Sequence, residues 1–223
     1  MTRDTAKPPL LIFDCDGVLV DSEPIASRVL AEALSEIGFP LGPQQAIERY
    51  TGISLAAVLA AVEAEWQRPL PADFRATLAE RDRAAFRAEL QAMPGVARVL
   101  AGLPHARCVA SSGSLDKIRH NLALTGLLDF FAPHVFSAEM VTHGKPAPDL
   151  FLLAAARMHS PPARCIVIED SVAGVSAACA AGMRVLGFCG GGHARPELAD
   201  ALRAAGAREI FTRMSDLPAL LAG

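Results

Sequence analysis

Leu10-Leu11-Ile12-Phe13-Asp14-Cys15-Asp16-Gly17 is an apolar run that stops abruptly at two carboxylates and a glycine. Four consecutive apolar residues read as a short buried strand. Carboxylates are costly inside a sheet, so Asp14 and Asp16 are expected to project from its exit. Two carboxylates about 4 Å apart repel by about 4 kcal/mol even at an effective dielectric near 20. Positive charge is therefore expected between them, and hard oxygen donors suit Mg2+. A charged turn after an edge strand is the competing reading of this segment taken alone.

The rest of the chain repeats the pattern. Arg107-Cys108-Val109-Ala110 runs into Ser111-Ser112-Gly113, and Cys165-Ile166-Val167-Ile168 into Glu169-Asp170-Ser171. Arg184 to Phe188 leads into Cys189-Gly190-Gly191-Gly192-His193, and the shorter His134-Val135-Phe136 precedes Ser137. Helix-like segments lie between them over Ser114 to Leu124, Pro148 to Met158, Val172 to Ala181 and Pro196 to Ala205. Strands alternating with helices predict an α/β, Rossmann-like parallel sheet with helices on both faces. Ligands bind at the carboxyl ends of strands in such sheets. Asp14, Ser111 and Glu169-Asp170, each at the end of an apolar run, are therefore expected to gather at one edge.

About 90 residues separate the first strand from the one at Cys108, whereas a parallel crossover needs only a dozen or so. Residues 21–92 are thus expected to form an inserted helical subdomain, with residues 1–20 and 93–223 making the core. Asp21 and Ser22 offer N-cap oxygens, and Pro24 suits a first helical turn. Ile25, Val29, Ala33, Leu34 and Ile37 then mark one apolar face. Further helices are expected over Pro43 to Arg49, Ser54 to Trp66 and Pro71 to Leu90. Met93-Pro94-Gly95 reads as the return linker.

Composition removes several function classes. Of 223 residues, 52% are hydrophobic, yet no apolar stretch approaches the ~20 residues of a membrane-spanning helix. Met1 to Pro9 reads as a loose polar tail rather than a signal peptide, so a cytoplasmic protein is expected. Five scattered cysteines with no C-x-x-C pair argue against disulfide frameworks and zinc sites. A net charge of −3 with 5% aromatics gives no nucleic-acid surface. No protein partner is evident. Of 21 basic residues only Lys7, Lys117 and Lys145 are lysines, which suggests lysine is kept where a compact point charge is wanted.

Taken together, four segments resemble the motifs of the haloacid dehalogenase-like hydrolases. They are Asp14 to Glu23, Ser111, Lys145 within Gly144-Lys145-Pro146-Ala147-Pro148-Asp149, and Glu169-Asp170-Ser171-Val172-Ala173-Gly174. They occur in the family's order across nearly the whole chain. The resemblance implies a helical cap over a Rossmann-like core and Mg2+-dependent phosphoryl transfer. It makes Asp14 the nucleophile that forms an aspartyl-phosphate, and Asp16 the acid and base that serves the leaving oxygen and then the water. The family motif implies that Ser111 bonds a phosphoryl oxygen, helped by backbone N–H groups of Ser112 and Gly113, and that Lys145 neutralises nucleophile and phosphoryl group. Metal ligation falls to Asp14, the backbone carbonyl of Asp16, and Asp170. Glu169 has three open roles: reaching the metal directly, reaching it through water, or holding Lys145. Glu23, Arg28 and Arg49 are candidate cap-side contacts, and His193 reads as a solvated loop residue near the pocket.

The overall similarity is to the helical-cap phosphatase branch that contains 6-phosphogluconate phosphatase-like and β-phosphoglucomutase-like proteins. It implies a phosphatase for a small phosphorylated metabolite, a sugar or sugar-acid phosphate. A phosphosugar mutase is the enzymatic alternative. It is disfavoured because Ala26 stands where those relatives carry a cap histidine, and Leu55, after Gly52-Ile53-Ser54, where they carry a phosphate-binding arginine. Dehalogenases lack the aspartate at position 16, and phosphonoacetaldehyde hydrolases need a cap lysine that residues 21–92 do not contain. A non-catalytic phosphometabolite-binding protein is the alternative of another class.

Overall fold

Apolar residues that alternate sides along each strand build one sheet sandwiched between two hydrophobic layers. The computed structural model of the chain describes residues 8–51 and 53–222. Most of the expected N-terminal tail, including Lys7, and Gly52 lie outside those residues. The strands are β1 (Leu10–Phe13), β2 (Arg107–Ser111), β3 (Val135–Ser137), β4 (Cys165–Glu169), β5 (Arg184–Phe188) and β6 (Glu209–Phe211). All pairings are parallel, in the order β3-β2-β1-β4-β5-β6. The order reverses beside β1, so the crevice at its carboxyl end is a topological switch point.

Side chains on successive strand residues face opposite ways. Leu11, Phe13, Val109, Ile166 and Ile168 accordingly join one apolar cluster, while Leu10, Ile12, Cys108, Cys165 and Val167 join the other. The second layer is covered by α7 (Asp149–Arg157), α8 (Val172–Ala180) and α9 (Leu198–Ala205), through residues such as Leu150, Phe151, Val175 and Leu202. The first is covered by α5 (Val96–Gly102), α6 (Leu115–Leu124) and α10 (Leu217–Ala222). Four more helices lie between β1 and α5: α1 (Glu23–Glu36), α2 (Pro43–Tyr50), α3 (Leu55–Trp66) and α4 (Phe74–Glu89). Their buried residues, among them Val29, Leu34, Val58, Leu78 and Phe86, are continuous with the first cluster. Val20 bridges Ala92, and the backbone N–H of Asp21 donates to the Gln91 carbonyl at 3.0 Å, so the two chain crossings into this helical segment run side by side.

Three elements differ from the sequence reading. The segment between Met93 and the second strand contains α5, and the chain ends with β6 and α10 beyond the last expected helix. At the start of α1, Ser22 holds the N-cap position but makes no side-chain capping bond. Its hydroxyl is committed elsewhere.

Candidate active site

Four chain segments deliver polar side chains to the carboxyl edge of β1, β2 and β4. Asp14 follows β1 directly, and its N–H donates to the Ile168 carbonyl at 3.0 Å, extending the ladder by one residue. The chain then folds back on itself, with Leu19 N and Val20 N both donating to the Cys15 carbonyl and Gly17 N to Val20 O. Gly17 sits at φ +77°, and a Cβ there would stand 1.8 Å from Asp170 Oδ2. Only glycine meets both demands, so the turn and the approach of Asp170 depend on the same residue.

Glu169 is the last residue of β4 and is fully buried; Asp170 follows it and is 6% exposed. Lys145 reaches both acidic segments. Its Nζ lies 2.9 Å from Asp14 Oδ1 and 2.6 Å from Glu169 Oε1. The other Glu169 oxygen accepts from the backbone N–H of Ser171 at 2.8 Å and from its hydroxyl at 2.9 Å. Ser171 Oγ in turn accepts from Gly174 N at 3.0 Å, capping α8. Glu169 is thus bonded at both oxygens, one to Lys145 and one to the head of a helix.

Asp16 is held separately. Ser22 Oγ donates to its Oδ1 at 2.6 Å, and Lys117 Nζ lies 2.9 Å from its Oδ2. Burial pushes the Asp16 carboxyl up, but Lys117 and the two hydrogen bonds outweigh it and hold the group below its ordinary value. Asp14 goes the other way. Burial drives its carboxyl well above the usual range, Lys145 pulls it partly back, and Glu169 and Asp170 add to the rise. Burial also raises Asp170. One oxygen each from Asp14, Glu169 and Asp170 lies within 4.8 Å of the others. Crowded, buried, hard oxygen donors carrying more negative charge than their lysine balances are what a small divalent cation fits.

Ser111 ends β2 and is 2% exposed, with its Oγ accepting from Gly113 N at 3.3 Å. Ser112 is exposed and Gly113 half-buried. Buried Ser137, at the end of β3, donates its hydroxyl to the Gly113 carbonyl at 2.6 Å and so fixes the turn. Ser114 caps α6, accepting from Lys117 N at 3.3 Å. One sheet edge therefore carries Asp14, Asp16, Ser111, Lys145, Glu169 and Asp170 together.

Several expected placements change. His193 is a buried residue, 5% exposed, with Nε2 3.1 Å from Asp170 Oδ2, so it is not a solvated loop residue. Asp21 accepts from Gly192 N at 2.9 Å and leaves α1 uncapped by its side chain. Arg28 pairs with Glu32 and Glu89, and Arg49 with Glu65, all on the exposed surface of the helical segment. Glu23 faces the acidic site instead: burial and then the charges of Asp16 and Asp170 raise its carboxyl to about 7. Ser22, Lys117 and Ser137 were not singled out for these contacts. Lysine scarcity is the signal that points to Lys117; the two serines have none.

Comparison with known proteins identifies the family. A haloacid dehalogenase-like hydrolase family model matches residues 8–182. The chain belongs to that family and, within it, falls among the phosphatases. It is 34% identical to 6-phosphogluconate phosphatase of Escherichia coli over 215 residues, covering 94% of this chain and 93% of that protein. A haloacid dehalogenase-like protein of unknown function from Agrobacterium tumefaciens superposes with a TM-score of 0.87 at 40% identity, covering 96% and 98% of the two chains. A hydrolase of the same family from Deinococcus radiodurans, crystallised with bound phosphate and sodium, gives 0.81 at 34% identity, covering 97% and 96%.

Proposed function

We propose that the chain is a Mg2+-dependent phosphatase that hydrolyses a small sugar or sugar-acid phosphate through an aspartyl-phosphate at Asp14. The observation that carries this reading is Lys145 Nζ set between Asp14 and Glu169 beside the buried carboxylate cluster. Asp14, Asp170 and the backbone carbonyl of Asp16 would hold Mg2+, which when bound supplies positive charge to the transferring phosphoryl group. Glu169 acts by fixing Lys145 through one oxygen while Ser171 holds the other.

In the first half-reaction an Asp14 oxygen bonds to phosphorus while the bond to the leaving oxygen breaks. Asp16, which takes up a proton from solvent when the leaving group displaces Lys117 from it, gives that proton to the leaving oxygen. In the second, water bonds to phosphorus, Asp16 takes its proton, and the Asp14–phosphorus bond breaks. Splitting one hard displacement into two is what a carboxylate nucleophile offers. Asp16 must exchange Lys117 for the leaving group, and such positioned proton transfer contributes about 10²–10⁴-fold. Ser111 Oγ and the N–H groups at Ser112 and Gly113 take phosphoryl oxygens, and Lys145 offsets their charge. Residues 21–92 act as the cap that excludes water, with Glu23 on its site-facing side. The substrate class rests on likeness to the Escherichia coli enzyme, whose name gives 6-phosphogluconate as substrate. Five free cysteines suit the reducing cytoplasm.

Hydrolysis of an aryl phosphate and of a panel of sugar and sugar-acid phosphates, with Mg2+ and with chelator, tests the reading. Metal-dependent turnover with a specificity constant highest for one polyhydroxylated substrate is expected. Tight binding without turnover would replace it with a binding protein.

A further inference from the structure

We propose that His193 is a positioning residue for the cation site, holding Asp170 through its Nε2–H. The proposal rests on the reading of Asp170 as a metal ligand. His193 follows a run of three glycines at the end of β5, yet it is 5% exposed and lies against the core of the site. Its Nε2 is 3.1 Å from Asp170 Oδ2. Nε2 is the ring nitrogen that faces this carboxylate, and a carboxylate accepts rather than donates. The other ring nitrogen, Nδ1, is buried and has no hydrogen-bond partner among the described residues. Among the described residues, the short contact between Nε2 and Asp170 is therefore the polar contact that sets the ring.

The ring also lies beside Gly17. Its Cε1 stands 2.9 Å from where a Gly17 Cβ would be, while Asp170 Oδ2 stands 1.8 Å from that same point. His193 and Asp170 thus share the space that Gly17 leaves open. The loop that carries the imidazole is tied in turn, with Ala194 N donating to Gly191 O at 2.9 Å and Gly192 N to Asp21 Oδ1 at 2.9 Å. Asp21 is the residue through which the chain leaves the core for the helical segment. The imidazole fixes one oxygen of Asp170 and leaves the remaining lone pairs of that carboxylate to the cluster with Asp14. Groups that orient a metal-binding carboxylate in this way commonly carry 10–100-fold of its metal affinity.

Calorimetric titration with Mg2+ alone tests this on the full chain and on His193→Phe, His193→Gln and Asp170→Asn. Phenylalanine keeps an aromatic ring and removes the donor; glutamine restores a donor at similar reach. His193→Phe is expected to weaken Mg2+ binding about 10–100-fold, with His193→Gln recovering most of the loss and kcat falling less than the metal requirement rises. Melting temperatures in chelator should stay close to that of the parent chain. Mg2+ affinity of His193→Phe within twofold of the parent overturns the proposal, as does failure of both His193 variants to fold, which would make the residue structural. Unchanged Mg2+ binding by Asp170→Asn would instead overturn the ligand assignment beneath it.

Discussion

Replacing Lys145 by methionine tests the polar core of the site without reference to substrate. The Lys145 side chain is 4% exposed, Glu169 is fully buried, and the two N–O distances are 2.6 and 2.9 Å. At an effective dielectric near 20, each contact is an attraction of about 6 kcal/mol before desolvation is counted. Desolvation of the lysine opposes much of that, since burial alone lowers its pKa and only the two carboxylates reverse the shift. What remains is the cost of leaving Glu169 Oε1 buried without a cation, and breaking such a pair from one side costs about 3–5 kcal/mol. For a chain of this length that is a fall in melting temperature on the order of 10 °C. Urea and thermal unfolding in chelator read it directly. Glu169→Gln supplies the control: destabilising in the parent chain, it should be neutral or stabilising once Lys145 is methionine. A loss below about 1 kcal/mol, or equal effects of Glu169→Gln in both backgrounds, would refute the buried triad.

Asp82 on α4 has a buried Oδ1 with no partner among the described residues, and burial, opposed by Lys117 and helped by Asp16, raises its carboxyl from 3.8 to about 6. The folded state therefore binds this proton more tightly than the unfolded state, so the contribution is intact below the ordinary value and is lost as pH rises through the raised one. Asp82→Asn should make the chain more stable than its parent above about pH 7, by up to about 2–3 kcal/mol, with the difference fading below about pH 4. Denaturation midpoints across that range check it, and a pH-independent difference would contradict it. Gly174→Ala would place a Cβ 1.7 Å from Glu169 Oε1. Glu169 or the head of α8 must then move, at a cost of about 1–3 kcal/mol, and aryl phosphate turnover should fall with it; parent-like stability and activity would show that Glu169 is not held as described.

The amino-acid sequence discloses this fold because its apolar runs are short, strand-like and ended by chemistry. Leu10 to Phe13 and Cys165 to Ile168 are apolar runs that end at carboxylates, so Asp14 and Glu169-Asp170 mark the sheet edge. The helical insertion is legible from the length of the gap before β2. β6 escapes because Glu209–Phe211 is three residues long and only Phe211 is buried. α5 escapes because Met93-Pro94-Gly95 reads as a linker and hides the helix that begins at Val96. Ser22 and Ser137 look like turn or capping serines, and only the tertiary structure aims their hydroxyls at Asp16 and at the Gly113 carbonyl. His193 misleads for a related reason: a glycine-rich loop suggests exposure, whereas here it lets the chain fold inward over Gly17. Lys117 and Lys145 differ only in degree, since both lysines of the described chain neutralise an aspartate of the first motif.

Chemical trapping during turnover tests the central claim most directly. Quenching the chain with borohydride in the presence of substrate and Mg2+ reduces an aspartyl-phosphate to homoserine, which peptide mass spectrometry locates. The account predicts reduction at residue 14, absent in Asp14→Asn and absent without substrate. A label at another residue, or sustained hydrolysis by Asp14→Asn, would contradict it.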